Sequence, residues 1–247
     1  MSILSNATKS RSSGLVITLV GQPGTGKTST ACTFPNPFLI RTQGEDVPRD
    51  VATMPDSLGV TDTSQKLWDQ MGALINDEHD YKTVIFDSAT GLEQMFIQEV
   101  LNSDKKARGI NQALGGYGAG PAAVAAMHMR VRKGAEMMRE KRGMNIIFLA
   151  HADIQRIDPP DNESYSQYSL RIAGKSMAPY VDSVDVVGFL RLETFLMGDD
   201  DERKIAKTSG NIVLTTTLNP ASISKNRIGI REDIVVEHGK NPLEQYL

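Results

Sequence analysis

The chain has 247 residues, of which 40% are hydrophobic and 23% are charged, a composition that is typical of a globular protein and excludes an intrinsically disordered chain. Its 27 basic and 30 acidic residues give a net charge of −3, so any contact with a nucleic acid must be made by a local patch and not by the whole surface. The single cysteine, Cys32, excludes an internal disulfide and a cysteine-rich metal cluster, which favours a reducing, cytoplasmic environment.

The chain is expected to form one main domain between two short tails. Residues 1–14 are polar and rich in serine, without the apolar core of a signal peptide, which predicts a flexible N-terminal tail. The core is predicted over residues 15–231, and residues 232–247 are interpreted as a C-terminal tail. The longest apolar stretches are far shorter than the 18 or so residues that a membrane span needs, so no membrane partner is expected.

Short apolar runs alternate with segments of helical periodicity, which predicts an α/β fold with a mostly parallel, twisted sheet flanked by helices. Apolar residues at helical spacing predict helices around 67–75 and 92–100, and a third from Pro121 to about Arg142. The predicted strands are 15–20, 38–41, 83–86, 146–150 and 183–190.

The last quarter of the core has a different pattern. Residues 198–201, Gly-Asp-Asp-Asp, separate two strand-like pieces at 192–197 and 205–207, which predicts an antiparallel hairpin. A further β-rich run at 211–217 extends this antiparallel C-terminal region. Two longer polar segments, 103–120 and 153–175, interrupt the alternation of strands and helices and are predicted to be functional loops.

Residues 21–28 fit the pattern G-x-x-x-x-G-K-[ST], directly after a predicted strand and before a helical stretch, which is the context expected of a P-loop. Glycines allow backbone N–H groups to surround phosphate oxygens, and a helix N-terminus adds partial positive charge. Lys27 would bind the β- and γ-phosphates and Thr28 would offer its hydroxyl to Mg²⁺. The predicted nucleotide-binding residues are Gly21, Gln22, Pro23, Gly24, Thr25, Gly26, Lys27, Thr28 and Ser29.

A nucleotide-bound magnesium ion also needs a carboxylate at the end of a neighbouring strand. Asp87 follows the apolar run 83–86 immediately and is predicted to hold the metal together with Thr28. Hydrolysis needs a group that activates or orients water. The strand 38–41 is followed by Gln43 and Glu45, of which Glu45 is the first candidate for the base and Gln43 the second. His151 follows the strand 145–150 and could face the γ-phosphate.

With these motifs, the chain resembles the RecA-like recombinase core, and most closely the phage RecA-like single-strand annealing ATPases. Asp87-Ser88 resembles the Asp-Ser that ends the Walker B strand of RecA. The stretches 173–177 and 181–184 are similar to the region after its second DNA loop, and Lys225-Asn226-Arg227 resembles the Lys-Asn-Lys with which one subunit touches the ATP of its neighbour. The resemblance covers residues 15–231 and implies that Lys225 and Arg227 act in trans on ATP bound between subunits.

The same resemblance implies that the segments 103–120 and 153–175 are the two DNA-facing loops. Cations beside aromatic rings suit single-stranded DNA, because phosphates meet positive charge and bases stack on rings. The candidate DNA-binding residues are Lys105, Lys106, Arg108, Tyr117, Arg156, Tyr165, Tyr168, Arg171 and Lys175.

The sequence therefore predicts a RecA-like, ATP- and Mg²⁺-dependent ATPase that binds single-stranded DNA and promotes annealing in bacteriophage recombination, in the host cytoplasm. Its expected partners are single-stranded DNA, further copies of the chain and a single-strand binding protein. Two alternatives stay open at this point. One is a nucleotide-gated switch or assembly protein that acts on protein partners, and the other is a small-molecule P-loop kinase, whose Arg-rich lid the glycine-rich segment 103–120 matches poorly.

Overall fold

The computed structural model describes residues 14–197 and 205–247, which form one twisted sheet covered on both faces. The helices are α1 (Lys27–Ala31), α2 (Ser64–Asn76), α3 (Ala89–Ser103), α4 (Ala119–Arg142) and α5 (Ala178–Val181). The strands are β1 (Val16–Gly21), β2 (Pro37–Thr42), β3 (Val60–Thr61), β4 (Thr83–Asp87), β5 (Asn145–Ile157), β6 (Tyr165–Leu170), β7 (Val186–Met197), β8 (Ile205–Thr215), β9 (Lys225–Asn226) and β10 (Ile234–Val236).

The strand order along the main sheet is β10-β8-β7-β1-β5-β4-β2-β3. Strands β7, β1, β5, β4, β2 and β3 run parallel, whereas β8 and β10 extend the sheet in antiparallel pairing beyond β7. The predicted fold class, a mostly parallel sheet flanked by helices with an antiparallel C-terminal extension, is therefore confirmed. All six residues of β1 are buried, as expected of a parallel strand with layers on both faces.

Alternate residues of the central strands supply two separate cores. Val16 and Val20 of β1 pack on the side of α2, α3 and α4, where Leu67, Phe96 and Val131 are fully buried. Ile17 and Leu19 face the opposite layer, which contains Phe34 near α1, Leu214 of β8 and Leu243 close to the C-terminus. Residues 232–247 thus contribute β10 and the buried Leu243 to the sheet and the second core.

The predicted loop at 153–175 is wrong in its secondary structure. Strand β5 continues seven residues past Ala150 and pairs with β6 from Ala152 opposite Leu170 to Ile157 opposite Tyr165. Both strands of this ribbon are mostly polar and carry exposed residues, so they lack the apolar run by which a buried strand is recognised. Backbone pairing forms the ribbon, which leaves the main sheet after His151 of β5.

The antiparallel hairpin is confirmed, but its strands are longer than predicted. Strand β7 is continuous from Val186 to Met197 and β8 joins the predicted pieces at 205–207 and 211–217 into one strand that ends at Thr215. The predicted turn at 198–201 lies outside the described residues. Across 14–197 and 205–247, no helix is both long and apolar enough to span a bilayer.

Candidate functional site

The candidate site lies where β1, β2 and β4 end at one edge of the sheet, next to the point at which β5 leaves the main sheet. Gly21 at the end of β1 is opposite His151 of β5, and Asp87 at the end of β4 lies between Arg41 of β2 and Leu149 of β5. Parallel strands deliver their carboxyl ends to the same edge, where ligands bind in open α/β sheets. Gly21, Asp87 and His151 are far apart in the sequence but therefore surround one site.

The loop between β1 and α1 has the backbone that its glycines require. Gly24 and Gly26 have φ angles of 81° and 78°, in the left-handed region where a side chain is strained. At Gly21, a Cβ would lie 2.5 Å from Thr25 Oγ1 and 2.8 Å from Leu190 O. Since α1 has only five residues, backbone N–H groups of the loop supply more of any phosphate binding than a helix dipole does.

Thr28 and Asp87 are in direct contact, as expected of two ligands of one metal ion. The Thr28 hydroxyl donates to Asp87 Oδ2 at 2.7 Å, close to the separation of about 3 Å between adjacent oxygen ligands of an octahedral Mg²⁺. Asp87 is 3% exposed, and burial raises the pKa of its carboxyl to about 6, against the opposing hydrogen bond from Thr28. A divalent cation would supply the positive charge that this buried carboxylate needs.

The ammonium of Lys27 lies across the mouth of the loop. Its Nζ donates to the carbonyl oxygens of Gly21 and Gln22, both at 3.0 Å. Burial lowers the pKa of Lys27, while the nearby carboxylates of Asp87 and Glu45 oppose that shift. Phosphate oxygens would replace these two carbonyl acceptors with anionic ones and so favour the charged ammonium.

Glu45 is joined to the metal-site strand and to the polar ribbon through hydrogen bonds. Ser88 Oγ donates to Glu45 Oε1 at 2.8 Å, and His151 Nε2 lies 2.9 Å from the same oxygen. The hydrogen bond from His151 is the main reason why the pKa of Glu45 is lowered, against the effect of burial. Glu45 is therefore a carboxylate at neutral pH, the form that a base needs, and it touches the residue at which β5 leaves the sheet.

Gln43, the second candidate for positioning water, lies elsewhere. Its exposed side chain lines a cleft with Thr61, Gly91 and Gln94, between β3 and α3. The chain turns at Gly44, whose φ is 89°, and this turn brings Glu45 back towards Ser88 and His151. The structure thus brings Glu45, and not Gln43, next to the residues of the P-loop edge.

A cavity of about 400 Å³ beside the P-loop includes residues that sequence reasoning missed. Gly24, Gly26 and Ser29 form one wall, while Asp50 and the segment Val236–Lys240 form the other. This volume is in the range of small-molecule pockets, and its position next to the phosphate loop suits the base and ribose of a nucleotide. No sequence signal marked these residues, because Asp50 and Val236–Lys240 reach the loop only through the fold.

The two residues expected to act in trans are at the opposite edge of the sheet. Strand β9, which contains Lys225, pairs with the first residues of β7, and the Arg227 amide donates to Asp185 O. These positions align with the start of β1 near Ile17, whereas the P-loop follows Gly21 at its end. Four residues of strand therefore separate the two places, which is a distance of roughly 13 Å. Within one chain, Lys225 and Arg227 do not reach the phosphate site, and any contact with ATP would come from a neighbouring copy.

The first candidate DNA segment, 103–120, is a turn followed by a 3-10 helix at Ile110–Gly115. Lys105, Lys106 and Arg108 are exposed on this turn, and Tyr117 is fully exposed with a φ of 50°. Cations and an aromatic ring are therefore accessible on one short stretch, directly before α4.

The second group of candidates is divided by the ribbon. Arg156 and Tyr165 are exposed near its tip, where Arg156 pairs with Asp158 at 2.9 Å. Tyr168 stacks on the buried Phe189 with ring centroids 5.1 Å apart, so one face of its ring is unavailable to a base. Arg171 lies at the base of the ribbon, where its amide donates to His151 O, and its charge contributes to the lowered pKa of Lys27.

Lys175 joins the two segments. It is exposed, and a Cβ built at Gly118 would lie 3.2 Å from its Nζ, so the end of the second segment touches the end of the first. The structure thereby brings together the P-loop, Asp87, Glu45, His151 and Arg171 at one edge. Lys105, Lys106, Arg108, Tyr117 and Lys175 lie on exposed turns, Arg156, Tyr165 and Tyr168 lie on the strands of the ribbon, and Gln43, Lys225 and Arg227 lie apart from the phosphate loop.

Comparison with known proteins adds a family to this geometry. A search of curated proteins finds no match to the chain. Solved structures with a similar fold include the crystal structure of the RadB recombinase, which is 11% identical over 82% of this chain and 80% of that one, with a TM-score of 0.47. Residues 13–228, well over half of the chain, match the family model described as an AAA domain. The chain therefore belongs to the AAA domain family.

Proposed function

We propose that this protein is an ATPase that binds Mg²⁺·ATP at the P-loop and uses the nucleotide to control its binding to single-stranded DNA. The observation that carries the proposal is the contact of Thr28 with Asp87 at 2.7 Å beside Lys27. These residues would hold the metal and the β- and γ-phosphates, and the cavity between the P-loop and Val236–Lys240 would hold the base.

The bound magnesium ion would neutralise the charge that develops on the γ-phosphate. Glu45, kept ionised by its hydrogen bond from His151, would accept a proton from the attacking water. Arg171, at the base of the ribbon, and Lys225 and Arg227 of an adjacent copy would stabilise the same charge. Such an assembly binds ATP between subunits.

The position of His151 supports a proposed coupling of the nucleotide to DNA. It contacts Glu45 at the nucleotide edge and stands at the start of the ribbon that pairs 152–157 with 165–170. A change at the γ-phosphate would move Glu45 and His151, and the ribbon would transmit that change to Lys175 and the turn at 103–120. The resemblance to phage RecA-like annealing proteins extends the proposal to strand annealing in bacteriophage recombination, with a single-strand binding protein as a further partner.

The test is ATP hydrolysis measured with and without single-stranded DNA, for the parent protein and Lys27→Ala. We expect DNA-stimulated phosphate release that the substitution abolishes, with light scattering showing a larger assembly in the presence of Mg²⁺·ATP. Lys66→Ala is the matched control, since Lys66 is an exposed residue of α2 that pairs with Asp62 at the surface. An unchanged rate in Lys27→Ala, or no effect of DNA on the parent, contradicts the proposal.

A second candidate, a nucleotide-gated switch that binds protein partners, is favoured by the exposed apolar Ile154 on the ribbon, next to the paired charges of Arg156 and Asp158. Changing Lys105, Lys106 and Arg108 together to alanine separates the two candidates. If these three cations contact phosphates of a single strand, the substitutions lower the affinity for DNA. Each lost phosphate contact reduces the slope of log affinity against log salt concentration by about 0.7, so the three together should reduce it by about 2. The control is the double substitution Lys133→Ala and Lys141→Ala. Both lysines lie about 20 Å or more along α4 from its start, and so away from the turn that carries Lys105, Lys106 and Arg108.

A small-molecule kinase is a third, less favoured function. It would transfer the γ-phosphate to a nucleoside or nucleotide in preference to water, so analysis of the phosphorylated products in the same assay distinguishes it.

A further inference from the structure

A second cavity, of about 320 Å³, lies between α3, α4 and the end of the second candidate DNA segment. Its volume is at the lower end of the range for small-molecule pockets. Ile97, Ile110, Pro121 and Val124 form apolar walls, and Glu93 and Ser176 supply polar groups. The cavity is on the helical face of the sheet and is separate from the cavity beside the P-loop.

The polar groups of this cavity are buried and incompletely satisfied. Glu93 is 3% exposed and Ser176 is 1% exposed. Glu93 Oε1 accepts a hydrogen bond from the Ala173 amide at 3.3 Å, and Oε2 lies 2.7 Å from His128 Nε2 without the alignment of a hydrogen bond. That distance makes His128 an ion-pair partner of Glu93 Oε2 when the imidazole is protonated. Within residues 14–197 and 205–247, Ser176 Oγ has no hydrogen-bond partner, although buried polar atoms normally have one.

We propose that this cavity binds one guanine base of single-stranded DNA, turned out of the strand. The inference rests on the proposed DNA binding and deepens it, because it assigns a base preference to a surface that otherwise contacts phosphates. Apolar walls would cover the faces of the ring, the Glu93 carboxylate would accept hydrogen bonds from its edge, and the Ser176 hydroxyl would bind a further polar atom of the base.

The choice of guanine follows from donor chemistry. A carboxylate only accepts hydrogen bonds, so it favours a base with adjacent donors. Guanine presents a ring N–H beside an amino group on one edge. Adenine and cytosine present an amino group next to a ring acceptor, and thymine places its single N–H between two carbonyl oxygens. The ring nitrogen or carbonyl oxygen of these bases would be repelled by the buried Glu93 carboxylate and left without a hydrogen bond, which lowers the free energy gained on binding.

The entrance to the cavity has the groups that a single strand needs. Gly118 and Lys175 line it, with Lys175 Nζ close to Gly118, and the fully exposed Tyr117 directly precedes Gly118 in the chain. Lys175 would pair with the phosphate of the bound nucleotide, and Tyr117 could stack on a neighbouring base. The cavity thus opens where the two candidate DNA segments touch.

The test uses the full chain with Mg²⁺, a non-hydrolysable ATP analogue and a labelled oligothymidine that carries one central guanine, inosine, adenine or cytosine. Fluorescence anisotropy measures each affinity. We expect guanine to strengthen binding about tenfold over plain oligothymidine, at the lower end of a specific base contact, and inosine, which lacks the amino group, to give a smaller gain.

Two variants locate the effect. Glu93→Gln removes the charge and one acceptor, and Ile97→Phe fills the cavity from a half-buried position; both should abolish the guanine preference and leave the affinity for oligothymidine unchanged. Leu58→Phe, at an exposed site, is the control for added bulk and should keep the preference. Thermal melting of each variant checks that it is folded.

The outcomes separate this inference from the function on which it rests. Equal affinity for all four central bases overturns the guanine site alone, as does a preference that survives both Glu93→Gln and Ile97→Phe. If Glu93→Gln does not fold, the result with Ile97→Phe decides. A parent protein that binds none of the oligonucleotides overturns the DNA-binding proposal and the guanine site together.

Discussion

The buried carboxylate of Asp87 predicts that Asp87→Asn stabilises the protein in the absence of metal. Burial raises the pKa of Asp87 from 3.8 to about 6, so its ionisation costs the folded chain about 3 kcal/mol more than the unfolded chain. A raised pKa means that the folded state keeps its proton while the unfolded state has lost it, and stability falls as pH rises between about 4 and 6. The penalty is present in full above pH 6 and absent below pH 4.

Replacing Asp87 by the uncharged, similarly shaped asparagine removes this penalty. At pH 8 without Mg²⁺, we expect Asp87→Asn to be up to about 3 kcal/mol more stable than the parent, or to melt about 6 to 12 °C higher in a chain of this size. The advantage should shrink to nothing as pH falls from 6 to 4. Thermal melting of both proteins between pH 4 and 8, with and without Mg²⁺·ATP, is the assay.

With Mg²⁺·ATP bound, we expect the parent to be the more stable of the two proteins. Mg²⁺·ATP should raise the melting temperature of the parent, because a ligand that binds only the folded state stabilises it, and should have little effect on the variant. If Asp87→Asn is no more stable than the parent at pH 8, or if its advantage does not change with pH, the reasoning from a desolvated carboxylate is refuted.

Three further predictions follow from the site. Glu45→Gln should keep ATP binding, measured by calorimetry, and lower phosphate release about 10²- to 10⁴-fold, the usual contribution of a general base; turnover at the parent rate would exclude Glu45. His151→Ala removes the main cause of the low pKa of Glu45, so the acid limb of the ATPase pH profile should move to higher pH, whereas His151→Gln, which can still donate, should move it less; identical profiles would contradict this. Gly91→Ala places a Cβ 2.0 Å from Thr42 Oγ1 and should lower the free energy of unfolding by about 1–3 kcal/mol. Gly72→Ala, which adds a Cβ in open space inside a helix, should raise it by up to about 1 kcal/mol. Chemical denaturation measures both values, and an unchanged stability of Gly91→Ala would show that the site can relax.

The central strands and the P-loop could be predicted because their signals are local. A continuous apolar run such as that of β1 has few structural alternatives to a buried parallel strand, and the spacing of glycines before Lys27 encodes a backbone shape directly. The hydroxyl of Thr28 and the strand-end position of Asp87 follow from the same local patterns. In the structure the Thr28 hydroxyl donates to Asp87 Oδ2 at 2.7 Å, and their joint role as metal ligands stays a prediction.

Choices that depend on chain reversal or distant pairing were not accessible from the sequence. Glu45 and Gln43 are two residues apart, and only the turn at Gly44 decides that Glu45 faces His151. The second half of β5, from His151 to Ile157, and strand β6 have no apolar pattern, so their pairing is visible only in the fold.

The amino-acid sequence by itself determined the class of this protein, an α/β fold with a P-loop at the end of its first strand, because hydrophobic periodicity and glycine positions act over a few residues. Only the tertiary structure decided which distant side chains share an environment. It buried the carboxylate of Asp87 and so raised its pKa, placed Lys225 at the edge opposite the P-loop, and enclosed Glu93 with Ser176 in one cavity. Burial and electrostatics depend on what surrounds a group in space, and neighbours in space are set by strand order and helix packing and not by adjacency in the chain.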